Sequence, residues 1–251
     1  MRTMILAALL ATAMPAAAWA EPADVAASVA ATSARSEANV KLDESRKPAQ
    51  LLTFLGLEKG MKVADMFGIN QYWSEIIAPA VGPDGSVVVW EPTQFANPKR
   101  LATFAEFTAR QPNVVLTYSP FETPVLSQGA FDFMLINLDY HDVYWESAEN
   151  KVVKMDPDAW LRSVYAAMKP GGIVGVVDHV ANAGGDTREV VNKLHRIDPA
   201  VVKADFERAG FTLEASSDLL ANPADDHSLL VFDQAIRGKT DRFVYKFRKP
   251  R

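Results

Sequence analysis

Histidine is the one side chain whose ordinary titration falls between pH 5 and 8, and this 251-residue sequence contains only four. Each stands close to an aspartate. His141 precedes Asp142, His179 follows Asp178, His227 follows Asp226, and His195 lies three residues before Asp198. An imidazole beside a carboxylate suits three jobs. It can act as a general base whose tautomer and charge the carboxylate fixes. It can join the carboxylate in holding a divalent metal that lowers an acceptor's pKa. The third job is structural, with the pair capping helices or satisfying itself at a sheet rim. His141, Asp142, Asp178 and His179 are the candidates for the catalytic role, and none is assigned as a metal ligand. His195, on a helical stretch, is expected to bond Asp198 locally. His227, among Asp225 and Asp226, is expected either to close over a cleft or to be solvated.

Aromatic residues gather beside the first pair. Tyr140, Tyr144 and Trp145 are the expected apolar wall of a small-molecule substrate site, because loops after parallel strands carry such determinants. Trp160, on the helix that follows, reads as core. Tyr72 is expected on a helix face and Trp73 over the cleft as a lid. Arg237, Gly238, Lys239 and Arg242 read as a solvated hairpin turn near the last strands.

The scaffold that must position these groups shows in the hydrophobic periodicity. Short apolar runs occur at 61–67, 86–90, 114–118, 131–138, 173–177, 211–214 and 243–247. Helical patterns fall between most of them, at 72–80, 98–110, 157–168, 187–195 and 201–209. Pro48 is placed to open a further helix through Leu51, Leu52 and Leu55, with Gly56 and Gly60 ending it. Continuous apolar runs alternating with amphipathic helices predict a mostly parallel sheet covered on both faces. Asp139, His141 and Asp142 then follow the fourth strand, and Asp178 and His179 end the fifth.

Composition narrows the remaining classes. Hydrophobic residues make up 49% of the chain and aromatics 10%, enough for a packed core. A net charge of -5 argues against nucleic acid as a partner. The absence of cysteine excludes disulfides, thiolate metal sites and cysteine nucleophiles. At the N-terminus, Arg2, an apolar run over 4–13, and Ala18-Trp19-Ala20 have the three parts of a secretory signal. The run is too short to span a membrane. Cleavage after Ala20 and a periplasmic location are therefore expected. Residues 21–45 then form a helical arm or mobile segment, and 46–251 the α/β domain. The oligomeric state is left open.

The order of these pieces resembles a class I S-adenosylmethionine-dependent methyltransferase, a Rossmann-like, doubly wound, mostly parallel seven-stranded fold. Met61-Lys62-Val63-Ala64-Asp65-Met66-Phe67-Gly68 stands where that family has its first strand and cofactor loop. Glu91 ends the second strand, Phe131 to Asn137 is similar to the fourth-strand motif, and Met168-Lys169-Pro170-Gly171-Gly172 resembles the turn before strand five. Tracts at 194–199 and 236–243 are similar to predicted exported bacterial methyltransferases of undefined substrate. The resemblance implies S-adenosylmethionine as cofactor and a small-molecule methyl acceptor. It places Glu91 and Pro92 at the ribose, and Asp65, Phe67 and Gly68 at the methionine end or in orienting the loop. Phe121 or Glu122 would edge the adenine, with Asn137 and Asp139 flooring the acceptor site.

One stretch departs from that pattern. The family's loop resembles D-x-G-x-G-x-G, and here only Gly68 remains in Asp65-Met66-Phe67-Gly68-Ile69-Asn70-Gln71. Asn70 is expected to supply the left-handed backbone that glycine would give. Phe67 is expected to put its ring into cofactor space. An alternative follows: an exported, non-catalytic relative whose cleft binds another small ligand or a protein partner.

Overall fold

Residues 21–251 are described by the computed structural model, and the expected leader at 1–20 lies outside them. Four short helices come first: α1 (Val25–Ala30), α2 (Glu37–Val40), α3 (Asp43–Arg46) and α4 (Pro48–Leu55), with a 3-10 turn at Thr32–Ala34. The sheet then builds from β1 (Lys62–Met66), α5 (Ser74–Val81), β2 (Ser86–Pro92), α6 (Pro98–Arg110), β3 (Val114–Ser119) and β4 (Phe131–Asn137). It closes with α7 (Pro157–Ala167), β5 (Met168–His179), α8 (Thr187–Leu194), α9 (Pro199–Arg208), β6 (Thr212–Ser217) and β7 (Arg242–Arg248).

All seven expected strands are present, in the order β3-β2-β1-β4-β5-β7-β6, and only β7 runs antiparallel to its neighbours. Successive residues of a strand face opposite sides, and the burial follows that rule. Ala64, Met66, Met134, Ile136, Val174 and Val176 pack on one face with Trp90 and Trp160. Val63, Phe133, Leu135, Ile173 and Val177 pack on the other with Tyr72, Ile76 and Ile77. The chain order reverses between β1 and β4, which opens a crevice beyond their carboxyl ends.

Local signals start the covering helices where the crevice needs them. Asn97, Asp156 and Asp198 each cap a helix whose first residue is a proline, and Asp186 caps α8. β5 is longer than its apolar run because the Lys169-Pro170-Gly171-Gly172 turn is drawn into the sheet edge. The arm is stapled down rather than loose. Arg35 forms a two-pronged ion pair with Asp43 at 2.7 Å, Asp43 accepts the Tyr72 hydroxyl at 2.9 Å, and Asn39 donates to Glu75 at 2.9 Å. Among the described residues no helix is long and apolar enough to cross a membrane.

Candidate active site

The crevice beyond β1, β2 and β4 holds a cleft of about 440 Å³, lined by Phe67, Ile69, Glu91, Phe95, Arg100 and Asp139 among others. That size lies within the range of small-molecule sites.

Its floor is the loop after β1, which forms the expected turn without most of the expected glycines. Phe67 and Gln71 take left-handed backbone, with φ 60° and 68°. Asn70 does not, so the expectation for it is corrected: it sits in a 3-10 turn and its side chain accepts from the Tyr72 N–H. The Phe67 ring also departs from expectation. It lies 8% exposed against Trp90, Phe121 and Trp160, with centroids 5.2, 5.3 and 6.4 Å away. Left-handed backbone costs such a residue about 1–2 kcal/mol, and burying an aromatic ring offsets this. The ring thus forms one wall of the cleft and leaves its volume open.

Gly68 is needed for a different reason. A Cβ there would stand 2.5 Å from Asp65 Oδ2. Asp65 therefore lies directly beneath the loop, accepting the Ser74 hydroxyl at 2.6 Å. This contact fits the loop-orienting role of the two expected for it. Its other oxygen is buried without a hydrogen-bond partner among the described residues. Burial lifts this carboxyl to about 7 against the opposing pull of Ser74 and Arg46.

Glu91 stands at the end of β2, as expected, with Pro92 buried beside it. It is 2% exposed, yet its partners are distant: the Ile69 N–H at 3.4 Å and the Arg100 guanidinium at 3.6 Å. Burial raises its pKa to about 7, opposed by Ile69 and Arg100. Asp139 also lines the cleft and is raised well above the usual carboxylate range, by burial first and then by Asp142. Asn137 is buried at the end of β4. Phe121 is fully buried in the aromatic cluster, which corrects its expected place at the adenine edge. Glu122 accepts from Gln94 at 3.0 Å, and Gln94 also takes the Phe121 N–H at 3.1 Å, tying the loops after β2 and β3 together.

Sequence reasoning missed Gln94 and Arg46. The guanidinium of Arg46 sits 4.3 Å above the Tyr72 ring and feels the charges of Asp139 and Asp65. Burial lowers its pKa, while Tyr72 and those carboxylates oppose the shift. The signal was faint, because Arg46 ends the short helix α3 and only tertiary packing brings its charge near Asp139 and Asp65.

The histidines assemble beyond β4 and β5, though not as neighbours in sequence. Asp178 is fully buried and accepts three donors: the His141 N–H at 2.8 Å, the His179 N–H at 2.8 Å, and His141 Nδ1 at 2.7 Å. An ionised carboxylate only accepts, so His141 carries its proton on Nδ1 and turns Nε2 the other way. Nε2 lies 3.2 Å from Asp142 Oδ1. His195, expected to bond Asp198, instead ends α8 with φ 49° and points Nδ1 at the same place, 3.1 Å from Asp142 Oδ1 and 3.3 Å from His141 Nε2. Asp198 is engaged as the cap of α9. Burial by itself disfavours the His141 imidazolium, but the charges of Asp178 and Asp142 outweigh it and raise the pKa. Burial likewise opposes ionisation of Asp142, and His141 and His195 reverse this to hold it well below the usual range.

His179 is separated from this group. Its Nδ1 pairs with the Thr240 hydroxyl at 2.7 Å, and burial, followed by His141 and Arg242, pushes its pKa down. His227 is held by Asn182 and Asp241 at 2.9 and 3.0 Å rather than closing over the cleft. Tyr140 is not a substrate wall: it is fully buried and donates to Asp205 at 2.8 Å. Tyr144 donates to the same carboxylate at 2.6 Å. Trp145 remains beside the site, stacked on Phe95 and 5.2 Å from the His195 ring. Trp73 is core, buried against Tyr72, and not a lid. Arg242 is buried and donates to the Ser45 carbonyl, and burial lowers its pKa to about 10.

No protein-family model and no curated protein match the sequence. Solved structures do match by shape. An S-adenosylmethionine-dependent methyltransferase from Aquifex aeolicus aligns over 90% of this chain and 98% of its own, with TM-score 0.57 and 16% identity. One from Mesorhizobium loti aligns over 83% and 100%, with TM-score 0.57 and 15% identity. The [4+2]-cyclase SpnF aligns over 81% and 82%, with TM-score 0.57 and 16% identity. The chain thus has the Rossmann-like class I methyltransferase fold. Because a cyclase shares it, the reaction has to be argued from the site.

Proposed function

We propose that this protein is an S-adenosylmethionine-dependent methyltransferase acting on a small molecule. The observation that carries the reading is Glu91, a carboxylate buried at the end of β2, facing an open cleft with no partner closer than 3.4 Å among the described residues. A buried acid without close donors lacks its hydrogen-bond complement, and the two hydroxyls of a ribose supply it. The cleft's other features fit the same cofactor. Phe67 and Phe95 offer apolar surface. Asp139, which lines the cleft, is an acceptor for the ammonium, and Arg46, outside the lining but close enough to feel the charge of Asp139, is the nearby cation for the amino-acid carboxylate. When bound, the cofactor supplies a methyl group on positively charged sulfur. The protein's share is to hold the acceptor in line with that group, exclude water and accommodate the departing proton.

The His141 cluster lies on the acceptor side, one turn beyond Asp139. Both ring nitrogens of His141 are already engaged by carboxylates, so it is not a free base in the expected sense. The reading includes export, as a member of the exported bacterial group, with the periplasm as location. Support for this is the residue pattern at 1–20, and intact mass of protein recovered from cells tests it.

Calorimetric titration of residues 21–251 with S-adenosylmethionine and S-adenosylhomocysteine tests the central claim. Affinity of about micromolar that falls roughly 10–100-fold in Glu91→Ala is expected, the usual range for a lost hydrogen bond to a charged group. No binding at millimolar ligand would favour the alternative, a ligand- or partner-binding relative of the fold that does not transfer methyl groups.

A further inference from the structure

We propose that His141, Asp142 and His195 bind one divalent metal ion of the zinc class, with Asp178 as the outer carboxylate that orients His141. The inference stands apart from methyl transfer and does not need the cofactor reading.

The first argument is spacing. Ligand atoms about 2.0–2.2 Å from a metal at tetrahedral or right angles stand roughly 3.0–3.5 Å from one another. The three atoms here are separated by 3.2 Å (His141 Nε2 to Asp142 Oδ1), 3.1 Å (His195 Nδ1 to Asp142 Oδ1) and 3.3 Å (His195 Nδ1 to His141 Nε2). His141, Asp142 and His195 thus each bring one ligand atom to a common point.

The second argument is the way the cluster is held. Asp178 takes His141 Nδ1 at 2.7 Å, which leaves Nε2 as the ring nitrogen turned toward Asp142 Oδ1 and His195 Nδ1. Asp178 to His141 is the carboxylate–histidine arrangement that fixes tautomer and raises ligand basicity at metal sites. Trp145 and Phe232 flank His195 at 5.2 and 5.1 Å, giving the site an apolar shell.

The donor set selects the ion. Two imidazoles and one carboxylate suit zinc and its neighbours, whereas magnesium and calcium favour oxygen alone. Three protein ligands leave one position of a tetrahedron open, the feature of a zinc site that handles substrate rather than a closed structural one. An acceptor hydroxyl there would lose its proton to solvent more readily.

The test uses tag-free protein stripped with chelator and titrated with Zn2+ against a chromophoric competitor. One equivalent is expected to bind at sub-micromolar concentration. His195→Asn, which preserves the left-handed backbone that asparagine tolerates, is expected to weaken binding at least about a hundredfold, and Asp178→Asn about 10–100-fold. His179→Ala, next to the cluster but turned to Thr240, is expected to leave it unchanged. One equivalent of Co2+ added to the wild type should give visible bands of four-coordinate intensity, a readout that needs no variant to fold. Absent bands, absent binding at 100-fold excess Zn2+ (about the concentration where weak surface sites fill), or equal losses in His195→Asn and His179→Ala would overturn the proposal. Since cofactor titration is run on the stripped protein, failure of either reading leaves the other standing.

Discussion

The two halves of the crevice bury the same functional groups under opposite conditions. Over β1 and β2, Asp65 and Glu91 are nearly inaccessible, their donors are few or distant, and burial lifts both to about 7. Over β4 and β5, Asp178 is just as buried but receives three hydrogen bonds, and Asp142 is drawn well below the usual range by two histidines. The difference lies in the partners, not in depth. The first half leaves carboxylate oxygens with few or distant donors, facing the cleft. The second half turns its polar atoms toward one another. Ablating one carboxylate from each half should therefore change stability in opposite directions.

The larger effect is expected from Asp178→Ala. It removes the acceptor of three buried donors and leaves His141 beside Asp142 without its counterweight. Breaking a buried charged network of this kind costs roughly 3–5 kcal/mol. Urea unfolding at pH 7, on metal-free protein, measures it. A loss below about 1 kcal/mol, the worth of an exposed pair, would mean that the second half is not the tightly paired one.

Glu91→Gln should do the reverse. Its pKa rises from 4.5 to about 7 on folding. The protonated acid is the form that folding favours, so the stability it contributes is full below pH 4.5 and is lost as pH rises through 7. At about 1.4 kcal/mol per pH unit the loss is close to 3 kcal/mol. Asp65 follows the same course from 3.8 to about 7. The glutamine variant is expected to be more stable than wild type by about 3 kcal/mol at pH 8, equal to it near pH 4.5, and poorer at binding S-adenosylmethionine. Thermal unfolding across that range reads the first two points, and parallel curves for the two proteins would refute them.

A smaller loss is expected from Gly68→Ala, about 1–3 kcal/mol for overpacking, because the new Cβ meets Asp65 Oδ2 at 2.5 Å. Asp65→Ala in the same chain should relieve much of it. Additive losses in the double variant would show that the loop does not rest on Asp65.

These contrasts mark where the sequence was legible. The seven strands and their covering helices could be read because apolar runs, prolines and capping aspartates act locally. Glu91 and Asp139 could be placed because a strand end has a fixed position in the sheet. Side-chain direction was harder. Tyr140 was expected at the substrate, but the turn after β4 folds its hydroxyl onto Asp205, 65 residues on. His195 was expected to serve Asp198, three residues away, yet the left-handed end of α8 swings it to His141, 54 residues back. Adjacent Asp–His letters suggested local pairs; His141 does meet Asp142, but it also reaches Asp178 across from β4 to β5. Arg46 gave only a faint signal because its place near Asp139 and Asp65 depends wholly on how α3 docks.

The smallest effect tests whether the cleft half truly lacks a partner. Arg100 is the nearest cation to Glu91, 3.6 Å away, but its side chain is 51% exposed while Glu91 is buried. An arginine so exposed keeps most of its hydration and is screened by salt, which limits such a pair to roughly 0.2–1 kcal/mol. Burial, which Arg100 does not alter, sets the acidity of Glu91. Arg100→Ala is therefore expected to raise the pH midpoint of the Glu91-dependent stability change by less than about 0.7 pH units, the equivalent of 1 kcal/mol. The direction follows from losing a positive charge that favours the carboxylate. A shift of two pH units would mean that Arg100 is the true partner, and the cleft half would then resemble the histidine half. A shift below one unit, abolished at high salt, would leave the partner of Glu91 to come from a bound ligand.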